Sequence, residues 1–80
     1  MKIPVIKRLV ETQPMEKLIE AELAIINEKP LPIEIEGEDE GEQLTHALAA
    51  IWILERMQET NKDFKDALRE YTQKVRESIN

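Results

Sequence analysis

The residues Ala47-Leu48-Ala49-Ala50-Ile51-Trp52-Ile53-Leu54 form the longest apolar run in the chain. In a helix such a run covers more than two turns, so its side chains cannot all share one face. A membrane span needs about 20 apolar residues, and a secretory leader needs a longer apolar region with a cleavage site. The run therefore reads as the middle of a central helix packed on several sides, from about Glu42 to Thr60, where strong helix formers continue without a breaker. Met1 to Arg8 carries charge on both sides of a very short apolar stretch, and is no leader either. The expectation is a cytoplasmic protein that does not enter the membrane.

Ile3, Val5, Ile6, Leu9 and Val10 share one side of a helical wheel, and Pro4 is tolerated in a first turn. This reads as a short first helix, although Lys2 to Ile6 also fits an extended strand. Thr12-Gln13-Pro14 marks an end and a restart, because Pro14 pushes Gln13 out of the α region. A second helix then runs from about Pro14 to Glu28 and stops at Asn27 and Pro30. In Leu31-Pro32-Ile33-Glu34-Ile35-Glu36 apolar and other residues alternate with period two, the mark of a strand. Such a strand needs a partner: Lys2 to Ile6, its own copy in a second subunit, or the helices beneath it as irregular chain. Gly37 to Gly41 reads as a flexible acidic turn. The last helix spans about Lys62 to Ser78, capped by Thr60 or Asn61 and supported by Glu70 and Lys74. The expected fold is mainly α: one domain over residues 1–80, a compact bundle of three to four helices with one short extended or β segment near residues 31–36.

Eighty residues supply one small core, and such a core seldom contributes more than about 3–5 kcal/mol. Small domains gain further stability from disulfides, a structural metal or self-association. Cys is absent and His46 is the only histidine, which removes disulfides and a Cys/His zinc site and leaves self-association.

The net charge of −6 is local. Residues 31–42 hold six acids and no base, while acids and bases balance on either side. The block Glu34, Glu36, Glu38, Asp39, Glu40 and Glu42 suits a solvated helix start, and offers a docking patch for a basic partner. It is not a calcium loop, because the twelfth residue counted from Glu36 is Ala47 where a bidentate Glu is needed. Glu42 and His46 are four apart, whereas carboxylate-bridged metal bundles use Glu-x-x-His twice, so neither metal nor cofactor is expected. Ser78, the only serine, has no set of residues to activate it, and the two glycines make no phosphate loop. The chain does not read as an enzyme. Lys62, Lys65, Arg69 and Arg76 form a basic edge on the last helix beside Asp63, Asp66, Glu70 and Glu77, which is no footprint for nucleic acid.

Two places break the expected patterning. Leu48 and Trp52 sit on the charged side of the central helix among Thr45, Arg56 and Glu59, and tryptophan is a frequent interface anchor. These five residues are the candidate interface, unless the first helix or the 31–36 segment covers the apolar pair within one subunit. Glu22 projects from a broad apolar arc made by Met15, Leu18, Ile19, Ala21, Leu23, Ile25 and Ile26. It lies at a wet seam or pairs with His46, Arg8 or Arg56. His46 itself reads as a partly buried histidine bonded to one carboxylate.

Ile35-Glu36-Gly37-Glu38-Asp39-Glu40-Gly41-Glu42, Leu44-Thr45-His46, Ala49-Ala50-Ile51-Trp52-Ile53-Leu54 and the opening Met1-Lys2-Ile3-Pro4-Val5-Ile6-Lys7 together resemble a family of bacterial proteins of about this length and of unknown function. The resemblance covers the whole chain and gives no residue a role. It implies at most an accessory part in thioredoxin or peroxiredoxin metabolism, which a chain without cysteine would play by binding. The combined reading is a binding or accessory module acting as a homodimer, or on an unidentified protein partner. The alternative is an acidic regulator whose 34–42 block docks on a basic partner.

Overall fold

The computed structural model describes residues 1–79, and the side-chain surroundings of residues 1–77. Four helices follow one another: α1 (Ile3–Thr12), α2 (Met15–Ile26), α3 (Glu40–Thr60) and α4 (Phe64–Ile79). α3 is the hub and packs against each of the other three. Of the run from Ala47 to Leu54 only Leu48 is exposed. Ala47, Ala49 and Ala50 are fully buried, as is Ala67 on α4. Small side chains at these positions let neighbouring helices approach α3 closely. The larger side chains Ile6, Leu18 and Ile53 fill the space between and are also fully buried.

The helix ends follow local chemistry. Pro14 separates α1 from α2: Gln13 before it is extended (φ −117°, ψ 137°), and the Pro14 carbonyl accepts from the N–H groups of Lys17 and Leu18. α2 closes with Glu28 in the left-handed region (φ 55°), where the N–H of Lys29 donates to the Ala24 carbonyl at 2.8 Å. Asp39 caps α3 by accepting from the Glu42 N–H at 2.8 Å, and the Glu42 carboxylate reaches back to the Glu38 N–H at 2.9 Å. The acidic turn is thus an organised cap, and α3 begins at Glu40, so that Gly41 lies inside it. Gly37 permits a close approach, since a Cβ there would lie 2.8 Å from Gln43 Cγ and 2.9 Å from its backbone nitrogen. Asn61 ends α3 in the left-handed region (φ 57°), and Asp63 starts α4 by accepting from the Asp66 N–H at 2.9 Å. The expected cap at Thr60 or Asn61 is therefore replaced by Asp63.

The short strand expected near residues 31–36 is absent, and no strand occurs among the described residues. Lys2 to Ile6 cannot pair with the segment, because α1 is already helical from Ile3. The alternation is nonetheless expressed in burial: Leu31, Ile33 and Ile35 pack on the helices while Pro32, Glu34 and Glu36 face outward. Side chains of α3 replace a ladder. Gln43 Nε2 donates to the Ile35 carbonyl at 2.9 Å, and His46 Nδ1 meets the Glu36 carbonyl at 2.7 Å. A carbonyl only accepts, so Nδ1 carries the proton. On the other side of the ring the Lys2 N–H donates to His46 Nε2 at 2.9 Å, which requires the neutral ring with an unprotonated Nε2. One fully buried imidazole thus joins α3 to the start of α1 and to the segment before α3.

Glu70 ties α4 to α3. It accepts from Arg56 at 3.0 Å and from Lys62 at 3.2 Å, which replaces the expected pairing with Lys74. Hydrogen bonds from Arg56 and Lys62 hold the Glu70 carboxyl below its ordinary value of 4.5. The Glu38 N–H does the same for Glu42.

Two outcomes follow from these contacts. Replacing His46 by Leu leaves the Lys2 N–H and the Glu36 carbonyl without partners and should cost about 2–4 kcal/mol in chemical denaturation; a loss under about 0.5 kcal/mol, the range of an ordinary surface change, would contradict the bridging role. Glu42 and Glu70, with folded values below 4.5, contribute stability that is fully present above that pH and lost as the pH falls through the lowered values. The urea midpoint should therefore drop on acidification from about pH 5 to about pH 3, and the drop should shrink when both residues are Gln. An unchanged drop would show that neither contact stabilises the fold.

Candidate functional site

His46 holds no reactive position. It is fully buried and both ring nitrogens are engaged by backbone groups, so its partner is not the carboxylate expected from the sequence. Glu42, one turn earlier, turns away to the Glu38 N–H and lies 3.8 Å from the N-terminal ammonium. Glu22 is half-buried, and among the described residues no hydrogen bond or ion pair reaches its carboxylate. The expected pairing with His46, Arg8 or Arg56 does not form among the described residues: His46 is saturated by backbone groups and Arg56 is held by Glu70. Among the described residues no three His, Asp or Glu side chains group as metal ligands. No helix among them is long and apolar enough to cross a membrane.

The acidic block is divided between tasks. Asp39 and Glu42 serve the α3 cap, and Glu38 and Glu40 are exposed. Glu34 and Glu36 border a cleft of about 250 Å³ against α1, opposite Arg8, Leu9 and Thr12. All of these charged side chains are exposed, and the Thr12 hydroxyl donates to the Arg8 carbonyl at 2.6 Å. The cleft holds no nucleophile with an adjacent base.

Trp52 is covered from a direction that the sequence did not suggest. Tyr71 of α4 lies against it, with ring centroids 5.6 Å apart and planes inclined at 52°, and the indole also packs on the core. Burial pushes the Tyr71 phenol up. Of the remaining candidate interface residues, Arg56 is tied to Glu70, the Thr45 hydroxyl donates to the Gly41 carbonyl at 2.9 Å, and Glu59 is exposed. Leu48 alone presents an apolar side chain, 41% exposed.

The larger apolar surface lies on α2. Ile19, Leu23 and Ile26 are 41%, 51% and 56% exposed, and their spacing of i, i+4, i+7 sets them in one stripe. Leu18, Ala21 and Ile25 on the opposite side are buried against the core. The broad apolar arc of this helix thus serves two surfaces, one inside the bundle and one outside it. Arc width was the available signal, since one interface cannot cover so wide an arc. Beside the stripe runs a shallow groove of about 400 Å³ bounded by Glu20, Leu23, Asn27, Lys29, Pro30 and Pro32.

No curated protein matches this chain, and no solved structure does. The model of a family of unknown function, DUF6952, matches residues 1–80, and the chain belongs to that family.

Proposed function

We propose that this domain is a non-enzymatic interaction module that works through the outer face of α2. The observation that carries the reading is the exposed stripe of Ile19, Leu23 and Ile26 on a helix whose other side is already packed. Leaving three large aliphatic side chains in one line in water is costly, and contiguous apolar surface of this kind marks contact sites more often than chance exposure does. The histidine engaged by backbone groups on both ring nitrogens and the carboxylates used in helix caps are structural, which leaves the α2 stripe as the feature that supports binding. Self-association through Leu48 and Trp52 is a weaker reading, because Trp52 is half-buried beside Tyr71 and Leu48 is the one exposed apolar side chain of that pair. An accessory role beside thioredoxin-type proteins would take the same form, a docking event on this face, since there is no thiol to exchange.

A photo-crosslinking side chain placed at Leu23 in living cells tests the assignment. It should yield covalent protein adducts, whereas the same group at Lys65, on the exposed side of α4, should not. Absence of adducts from positions 19, 23 and 26 alike would remove α2 as the working surface.

A further inference from the structure

We propose that the outer face of α2 is where two copies of this chain pair, antiparallel across a twofold axis beside Leu23. The proposal rests on the contact role argued above and names the occupant. The stripe is its own complement: reversal about Leu23 brings Leu23 against Leu23 of the second copy, and Ile19 against the second copy's Ile26. Charge along one edge has the matching polarity. Glu16 lies one turn before Glu20, at the N-terminal end of the edge that borders the groove, and Lys29 borders the same groove at the C-terminal end. Glu20 is held by Lys17 at 3.3 Å, whereas Glu16 and Lys29 carry no ion pair among the described residues. Antiparallel pairing places each Glu16 near the second copy's Lys29, twice per dimer, while parallel twofold pairing sets opposite edges together and forms neither contact. On the opposite edge the two Glu22 carboxylates approach one another near the axis and weaken the contact. Each copy contributes one helix about 18 Å long, less than the roughly 800 Å² per partner of a standard interface, so the dimer is a micromolar one.

Sedimentation of the full-length chain from about 1 to about 500 µM brackets the affinity expected of an interface this small. The wild type should dimerise within that range. Glu16→Lys and Lys29→Glu should each weaken the dimer about fivefold or more, since each turns two attractions into two repulsions. Combined, they retain the net charge of −6 and should restore the wild-type affinity to within about twofold. Glu22→Gln should tighten the dimer. A double variant no better than the single ones would overturn the proposal, because the dimer would then use another register or surface. A wild-type monomer throughout would also overturn it. Crosslinks from Leu23 to a different protein would in that case leave the contact role of α2 standing with another occupant, and no crosslinks would remove both.

Discussion

The imidazole of His46 joins three separate stretches of chain: the first residues before α1, the segment between α2 and α3, and α3 itself. Each contact solves a backbone problem. Lys2 has no side-chain cap above it, and its N–H lies at the start of a helix whose first donors lack intrahelical partners. Residues 31–36 are irregular chain, bent at Pro32 and Ile33, with no strand beside them, so their carbonyls need donors from elsewhere. A neutral histidine with one donor and one acceptor on opposite sides of the ring fits both requirements at once. Gln43, one turn earlier on α3, supports the same segment through the Ile35 carbonyl. Full burial in a low-dielectric site makes these bonds costly to lose.

With the segment fixed on α3, its aliphatic side chains complete the core that α1 and α2 begin. Ile35 is 3% exposed, and Leu31 and Ile33 pack beside it. α4 closes another side of α3 through Ala67, Phe64, Leu68 and Tyr71, and Glu70 holds it in place through Arg56 and Lys62. α3 is therefore surrounded, whereas α2 packs mainly on α3 and leaves Ile19, Leu23 and Ile26 exposed. This asymmetry is why the apolar face of α2 remains in water. Among the described residues no further element covers it.

The parts legible in the sequence are those set by neighbouring residues. The wheel positions of Ile6, Leu9 and Val10, the break at Pro14 and the unbroken helix through Ala47 to Leu54 all follow from local periodicity and backbone chemistry. The cap made by Asp39 and Glu42 is equally local: the acidic block suits a helix start, while the order that its hydrogen bonds give to Gly37 to Gly41 is what a flexible turn leaves out. Other features depend on residues distant in the chain. His46 meets backbone groups 44 and 10 positions away, and backbone acceptors leave no side-chain signature. Trp52 is covered by Tyr71, a pairing that depends on how α4 folds back. Period-two alternation at Leu31 to Glu36 reported correctly which side chains turn inward, but alternation is satisfied by any extended chain lying on a surface, with or without a ladder. For α2 the composition of the arc was plain, and which half the bundle would cover was not, because that depends on the position of α3.

The hydrogen-bonding state of His46 tests this account most directly. Long-range proton–nitrogen NMR correlation at neutral pH should show Nδ1 protonated and Nε2 unprotonated and accepting, with the Lys2 amide strongly protected from solvent exchange. A ring protonated at Nε2, or a Lys2 amide exchanging as fast as an unfolded one, would contradict the bridge that joins α1, α3 and the segment before α3.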